Sequence, residues 1–223
     1  MCDEITLLGK LKEKLIQRKQ EWARDGRLLT GNQKLEDRDS RLPRGQRLVT
    51  DWPVLDLGIQ PDVPKEAWSL TIDGNVANPL TWDWQAFMDQ PQFDDVSDIH
   101  CVTAWSRYDN YWQGVSAKHI VDLVRPSASV NHVVLHGYDG YTTNVTLEAF
   151  SADDALIAHS WEGKPLSRQH GGPVRAIIPQ YYLWKSAKWI SRIEFVDADQ
   201  PGFWEVRGYH NVGDPWKEER YGF

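Results

Sequence analysis

Cys101 is the residue of this chain with the clearest capacity for chemistry, because it is one of only two cysteines. It lies in the run from Asp98 to Tyr108, whereas the other cysteine, Cys2, is next to the N-terminus. An internal disulfide would have to reach that end. Cys101 is therefore a buried apolar filler, a nucleophile or a thiolate ligand to a soft metal.

A cysteine nucleophile needs a base within hydrogen-bonding distance. The adjacent His100 is poorly placed for this role in an extended segment, because neighbouring side chains on a strand point to opposite faces. No hydrolase signature surrounds the cysteine, although four other histidines could serve as the base. These are His132, His136, His159 and His170.

Histidine spacing argues against a zinc site made by the protein alone. His132 and His136 are four residues apart in a segment that predicts a strand. At about 3.3 Å per residue they would be about 13 Å apart, too far for one ion. The chain also has no Cys-x-x-Cys pair.

A second segment combines two glycines with three cations in a part of the chain that is otherwise acidic. It begins at His170-Gly171-Gly172 and continues through Arg175 to Lys185 and Lys188. Glycines let a backbone approach another group closely, Arg donates paired hydrogen bonds to anionic oxygens, and Lys contributes a point charge. The segment predicts an anion-binding cradle; the alternative is a set of ordinary surface ion pairs.

The tail over 208–221 is dense in polar and aromatic residues and has little periodicity. Such a segment is typical of an ordered loop that specific contacts hold in place. The alternative is a charged strap at the end of the chain.

Charge is distributed unevenly along the 223 residues. Residues 1–50 contain twelve Lys and Arg against eight Asp and Glu, or +4, and the rest contains thirteen against twenty-four, or −11. The net charge of −7 argues against general binding of nucleic acid or of a membrane surface. A cytoplasmic location is expected, because the sequence has no long apolar run, signal region or twin arginine.

Twelve tryptophans are far more than usual for this length, so large aromatic surfaces must be buried. A β-rich core is the interpretation favoured by the preference of Trp for sheets. The alternative is a deep pocket with aromatic walls for a flat ligand.

The elements that must position these residues are mostly short strands. Residues 4–24 predict an amphipathic helix with an apolar stripe, and the polar residues 30–47 predict a linker or a surface wrap. The stripe contains Ile5, Leu8, Leu11, Leu15 and Trp22. Strands are predicted at 67–72, 78–82, 96–103, 132–136, 154–159, 174–179 and 190–196, a turn at 137–143, and helices at 83–88, 116–124 and 146–151. This order predicts a mixed α+β domain dominated by sheet.

Three segments together resemble the sulfite oxidase-type molybdopterin oxidoreductase family. They are the run DIHCVTAWS around Cys101, the segment HGGPVRAIIP…KSAKWI and the tail GYHNVGDPWKEERY. The resemblance extends from Leu48 to Phe223 and is greatest to the small, single-domain bacterial branch. It implies the sulfite oxidase fold, with a β-rich catalytic domain over 48–223 and an N-terminal helical extension over 1–47.

The resemblance implies a molybdenum–molybdopterin cofactor (Mo-MPT), whose metal is held by the pterin dithiolene and by the Cys101 thiolate. Soft sulfur donors suit a metal that cycles by two electrons. Several other residues match the positions that hold the pterin and its phosphate in this family. They are His170, Arg175, Lys185 and Lys188, with Thr103 beside the cysteine and Ser186 and Ala187 in the basic segment.

The resemblance also indicates catalytic residues and an expected limit on the substrate. Tyr141 matches the family's active-site tyrosine. Sulfite oxidases have paired arginines four and five residues after the metal cysteine, where this chain has Trp105 and Ser106 with only Arg107 nearby. Sulfite is therefore expected to be a poor substrate, and Arg107 or Tyr141 is expected to polarise the oxygen of a neutral one.

Two further departures concern partners and an early loop. The chain ends where sulfite oxidases begin a dimerisation domain, and it has no Cys-x-x-Cys-His haem motif. A monomer that exchanges electrons with a separate partner is therefore expected. Thr50 and Asp51 occupy the loop where the family usually has Asn-His.

The leading hypothesis is an oxidoreductase that transfers an oxygen atom to or from a small polar substrate at a Cys-ligated molybdenum. Trp105, Tyr108, Trp112 and Tyr141 are expected to wall its pocket. One alternative lies within this class, namely reduction of a sulfoxide or an N-oxide. The others are a cysteine-dependent hydrolase and a Trp-rich carbohydrate-binding module without chemistry.

Overall fold

The computed structural model of the chain describes residues 2–24 and 41–222, with the side chains of 9–21 in the first helix. That helix, α1, runs over Cys2–Arg24 and confirms the predicted amphipathic helix. Its buried face differs from the predicted stripe, because Leu11 and Leu15 are exposed and Ile16 is buried. The side chains of Ile5, Leu8 and Trp22, and the linker up to residue 40, lie outside the described residues.

The first sheet has six strands and contains the longest hairpin of the described residues. Strands β4 (Gln92–Cys101) and β5 (Trp105–Ser116) pair in antiparallel fashion through most of their length, and the pair ends at the tight turn between them. β5 also pairs with β8 (Leu156–Trp161) and with the short parallel strand β1 (Arg47–Leu48). The other strands of this sheet are β9 (Lys164–Pro165) and β10 (Arg175–Ile177).

The second sheet has five strands, in the order β3 (Leu80–Asp83), β2 (Ser69–Gly74), β11 (Ile190–Val196), β6 (His132–Gly137) and β7 (Thr142–Thr146). The central pair of β2 with β11 is parallel, and the other three pairs are antiparallel. Three short helices accompany the sheets, namely α2 (Trp84–Met88), α3 (Ala117–Val124) and α4 (Leu147–Phe150).

The main core takes residues from both sheets and from the short helices. Leu70, Ile72, Ile157 and Ile193 are all completely buried there, and Trp68 is 1% exposed. Burial of these apolar side chains is the main term that stabilises the fold. The predicted β-rich core and the α+β fold class are both confirmed.

Two strands, β5 and β7, were not predicted. β5 lacks a strict alternation of apolar and polar residues, and polar side chains within it are hydrogen-bonded inside the sheet. Asn110 is completely buried and donates to the carbonyl oxygens of Ser97 (3.1 Å) and Arg107 (2.9 Å). β7 begins at Thr142, inside the predicted turn.

No helix in the described part of the chain is long and apolar enough to cross a membrane.

Candidate active site

Cys101 ends strand β4 and is 4% exposed. Its Sγ lies 3.1 Å from the hydroxyl of Thr103 in the turn that follows. Ala104 closes that turn in the left-handed region at a φ of 67°, and its N–H donates to the carbonyl of Cys101 (3.0 Å). The hairpin therefore fixes the position of the thiol.

The surroundings of Cys101 do not by themselves favour the thiolate. Burial raises the pKa of the thiol, and hydrogen bonds from Thr103 and the charges of Lys19 and Arg220 offset this only in part. Among the described residues, Thr103 and not a histidine is the side-chain hydrogen-bond partner of Sγ. A metal would supply the charge that ionises such a thiol outright.

His100 faces away from the cysteine, as the strand alternation predicts. Its Nδ1 lies 2.8 Å from the Ser106 hydroxyl, and burial lowers the pKa of the ring to about 4. The neighbouring base required by a cysteine hydrolase is therefore not provided by His100.

A cavity of about 860 Å³, including its open mouth, lies against Cys101. Aromatic side chains form much of its wall, namely Trp52, Trp105, Tyr141, Trp184, Trp189, Trp204 and Tyr209. Charged or titratable side chains are also present, namely Lys19, Asp56, Asp139, His170, Arg175 and Lys188. Both interpretations of the tryptophan content thus apply, since some build the core and others build this pocket.

Arg175 is the most deeply buried cation of the cavity, at 2% exposure. Its guanidinium donates to the carbonyl oxygens of His170 (2.9 Å), Ser186 (2.8 Å) and Ala176 (3.3 Å). These acceptors are neutral, and burial lowers the pKa of Arg175 to about 9. Its charge therefore lacks a carboxylate partner among the described residues.

Lys188 is the second cation on this wall. Its Nζ donates to the carbonyl oxygen of Gln169 (2.8 Å). Burial, and next the charge of Arg175, lower the pKa of Lys188 to about 7, although Asp56 and Asp139 act in the opposite direction. Two neighbouring cations without an ion-paired carboxylate form a site that an anion would stabilise.

The two glycines of the basic segment serve packing within the protein. Gly171 has a φ of +101°, and a Cβ there would lie 3.1 Å from Cα of Lys188. A Cβ on Gly172 would lie 2.2 Å from the carbonyl oxygen of Leu166. The close approach predicted from these glycines is therefore made to Lys188 and Leu166, and it places Lys188 at the cavity.

His170 stacks on Trp52, with ring centres 4.0 Å apart and planes 10° from parallel. Burial, then the charges of Arg175 and Lys188, lower the pKa of His170 to about 4, so the ring is neutral near pH 7. The guanidinium of Arg175 lies 5.0 Å from the centre of the Trp52 ring. Together these groups form a flat face beside the cationic wall.

Other predicted cofactor contacts are also at the cavity. Thr103, Ser186 and Ala187 line it. The Ser186 hydroxyl accepts from the N–H of Ile178 (3.0 Å), which fixes its orientation. Tyr141 lines the cavity as well, and its hydroxyl donates to the Trp184 carbonyl (2.7 Å). Burial raises the pKa of Tyr141 well above its usual value, so the phenol stays protonated.

Lys185 does not line the cavity, in contrast to its predicted contact with a phosphate. Its Nζ pairs with Glu205 at 2.6 Å, with both side chains buried. It also donates to the Asn144 side chain (2.9 Å) and to the Asn211 carbonyl (2.6 Å). Lys185 therefore holds the tail against the second sheet. Glu205 supplies the negative charge that a bound phosphate was expected to supply.

Arg107 is also outside the cavity. Its guanidinium lies 4.7 Å from the centre of the Trp161 ring and donates to Asn110 (2.5 Å) and Glu162 (3.1 Å). Trp105, two residues earlier on β5, does line the pocket, whereas the contacts of Arg107 with Trp161 and Glu162 hold its side chain elsewhere. Tyr108 and Trp112, expected as pocket walls, lie on the same strand and do not line the cavity either.

Sequence reasoning missed several residues of the wall. Trp184 lies within the basic segment and Trp189 directly follows it. Tyr209 belongs to the tail, Trp204 precedes it, and Trp52 directly follows Thr50-Asp51. Proximity to the recognised segments could have pointed to them. Lys19 had no such signal, because it belongs to the separate helix α1.

Comparison with protein families gives a match over residues 57–204 to the model of the oxidoreductase molybdopterin binding domain. A similar protein of Bacillus subtilis, the uncharacterized oxidoreductase YuiH, is 40% identical over 194 residues. That alignment covers 86% of this chain and 97% of YuiH.

More distant similarity connects the chain to proteins with a named activity. The catalytic subunit MsrP of a protein-methionine-sulfoxide reductase from Ralstonia nicotianae is 28% identical over 66% of this chain. The alignment covers 49% of MsrP, so the chain spans about half of that relative. The crystal structure of the sulfane dehydrogenase SoxCD from Paracoccus pantotrophus superposes with a TM-score of 0.55 at 18% identity, over 62% of this chain and 40% of that one. This likeness supports the fold.

Proposed function

Because the chain belongs to the family of oxidoreductases with a molybdopterin binding domain, we propose that its cavity holds Mo-MPT with Cys101 as the protein ligand to molybdenum. The observation that carries this proposal is the shared cavity of Cys101, Arg175 and Lys188. It combines a buried thiol with two cations that have no ion-paired carboxylate in the described part of the chain. The donor set fits the group, since sulfur suits molybdenum and paired cations suit a phosphate.

The chain's own residues would bind and orient the cofactor. Arg175 and Lys188 would hold the anionic end, with the Arg175 fork already fixed by three carbonyls. The stacked pair of His170 and Trp52 would contact the flat ring system. The Thr103 hydroxyl would remain beside the Cys101 sulfur. When bound, the molybdenum centre would supply two-electron redox chemistry coupled to transfer of an oxygen atom.

The residues that follow Cys101 favour a neutral substrate over a dianion, because a dianion is held best by paired cations and a neutral sulfoxide needs only one donor. Trp105 lines the cavity, whereas Ser106 is completely buried and contacts His100. Neither residue offers a cation to sulfite. Reduction of a sulfoxide or an N-oxide consumes two electrons and two protons, and it yields the reduced compound and water. The protein-methionine-sulfoxide reductase subunits among its relatives support this direction.

Electrons for such a reduction would come from a separate protein partner. We propose that the enzyme acts on a small molecule, because its net charge of −7 argues against general binding of nucleic acid. The cysteine-dependent hydrolase and the Trp-rich binding module receive no support from the family match.

The test begins with protein made in a host that synthesises Mo-MPT. Molybdenum is expected at about one atom per chain, together with a pterin that fluoresces after oxidation. Steady-state kinetics should then show turnover of sulfoxides or N-oxides with reduced viologen. Metal-free protein from this host would overturn the assignment of the cofactor. A kcat/KM for sulfite of about 10⁵ M⁻¹s⁻¹ or more with an artificial acceptor would overturn the assignment of the substrate.

A further inference from the structure

Helix α1 packs on residues that themselves line the cavity. Ile16 is 3% exposed and clusters with Leu57, Trp204 and Tyr209, all of which are cavity residues. One turn further along, the Gln20 side chain donates to the carbonyl oxygen of Arg207 (3.0 Å). The C-terminal half of α1 therefore lies against the segment that forms one wall of the site.

Lys19 extends from this face of α1 into the cavity. Its Nζ donates to the carbonyl oxygen of Asp56 (2.6 Å) and lies 5.9 Å from the centre of the Trp204 ring. An ammonium has three N–H donors, and the described residues satisfy one of them. Burial lowers the pKa of Lys19, and the charge of Asp56 opposes this only in part, without an ion pair among the described residues.

Lys19 differs from the other two cavity cations in the element that carries it. Arg175 and Lys188 belong to the basic segment, whereas Lys19 belongs to α1. Val102, the residue after Cys101, packs against the apolar cluster that includes the buried residue of α1. The cavity thus has a cationic pair suited to a phosphate on the basic segment, and a further cation on the helix that packs beside the turn after Cys101.

We propose that Lys19 binds the oxygen of the substrate beside Cys101, so that α1 is part of the active site. This inference rests on the proposed function and names the residue that would recognise its substrate. The oxygen of a sulfoxide or an N-oxide carries partial negative charge, and a charge-assisted N–H bond to it is strong in a site of low dielectric. Tyr141 is less suited to this role, because its hydroxyl donates to the Trp184 carbonyl.

The test uses the holoenzyme with Lys19→Met, which keeps the length of the side chain but removes its charge. KM for a methyl sulfoxide should rise about tenfold to a hundredfold, with a smaller change in kcat and no change in molybdenum content. Lys19→Arg should retain most of the affinity. The matched control is Lys14→Met, since Lys14 is exposed on the same helix.

A second measurement is independent of turnover. Binding of dimethyl sulfone, which offers the same S=O oxygen, should weaken by a similar factor in Lys19→Met, as measured by calorimetry. Circular dichroism and protease resistance should match those of the wild type. Unchanged KM and sulfone affinity would overturn the inference, as would a loss of molybdenum, which would make Lys19 a cofactor ligand. If wild-type protein lacks molybdenum or does not reduce sulfoxides, the proposed function fails instead, and sulfone binding still decides the role of Lys19.

Discussion

At the scale of single residues, the site depends on charges that the protein leaves unbalanced. The Cys101 thiol lies in a place where burial raises its pKa, and Arg175 lies in a place where burial lowers its pKa. Both shifts disfavour the charged forms. A bound group that is cationic at the sulfur and anionic at the guanidinium would reverse both effects.

Cys101→Ser should abolish turnover and change the absorption spectrum of the metal centre while the fold is retained. A hydroxyl is a harder and less acidic donor than a thiol, and it occupies nearly the same space. Kinetics, metal spectra and circular dichroism should be recorded on the same preparation. An active variant with the wild-type metal spectrum would refute ligation by Cys101.

Arg175→Ala should lower the retention of molybdenum after long dialysis by about tenfold to a hundredfold, because it removes a charge-assisted contact to a buried phosphate. Arg107→Ala is the matched control, since Arg107 contacts Trp161 and Glu162 outside the cavity. Arg175→Lys should give an intermediate loss, because lysine keeps the charge without the fork. Equal metal content in Arg175→Ala and in the wild type would contradict the cradle.

At the scale of elements, the turn after β4 and the helix α1 bring opposite sides of the site together. The turn positions Cys101 through bonds within five residues of the chain. α1 contributes Lys19 through packing on segments far away in the sequence, as the bond from Lys19 to Asp56 across 37 residues shows. The first arrangement is mainly local, whereas the second depends on contacts between α1 and distant parts of the chain, in which Ile16 is buried among the described side chains of the helix.

Ile16→Asn should release α1 from the catalytic domain without unfolding that domain. A buried amide without hydrogen-bond partners costs about 1–3 kcal/mol. This cost is large compared with the free energy that the small apolar cluster of Ile16 contributes to docking of the helix. Protease should cleave α1 faster, and KM should rise as in Lys19→Met. Leu11→Asn on the same helix is the control, because Leu11 is 51% exposed. Equal cleavage rates in the two variants would show that Ile16 does not hold the helix.

At the scale of the whole molecule, the cofactor and the fold should stabilise each other. A group that binds only the native state raises the free energy of unfolding by mass action. Here the bound cofactor would also neutralise Arg175 and Lys188, whose buried positive charges disfavour folding when the cavity holds no anion.

Thermal unfolding should therefore show a larger difference in Tm between holoenzyme and cofactor-free protein at pH 7 than at pH 9. Without an anion, the folded-state pKa of Lys188 is about 7, below its usual value of 10.5. The unfolded chain then binds more protons between these values, so cofactor-free stability rises with pH across that window. An anion beside Lys188 should raise its pKa and flatten this dependence.

Lys188→Met provides the control for this measurement. It should raise the Tm of cofactor-free protein more at pH 7 than at pH 9, and it should weaken cofactor retention. The same Tm difference at both pH values in wild-type protein would argue against an uncompensated charge on Lys188.

The sequence by itself determined the family and the β-rich α+β fold, and it singled out Cys101, which lines the cavity. These follow from local signals, namely one mid-chain thiol, the glycines before a cluster of cations, and short apolar strands. The segments around Cys101 and Arg175 could be recognised because the residues that make each motif are neighbours in the chain.

Only the tertiary structure decided which cations face the cavity. Lys185 was predicted there with Lys188, but its pairing with Glu205 buries it on the other side of the segment. Arg107 is held outside the cavity by its contacts with Trp161 and Glu162, and Lys19 enters from α1. The physical reason is that burial and charge compensation depend on contacts between residues far apart in the chain, which a local pattern does not contain.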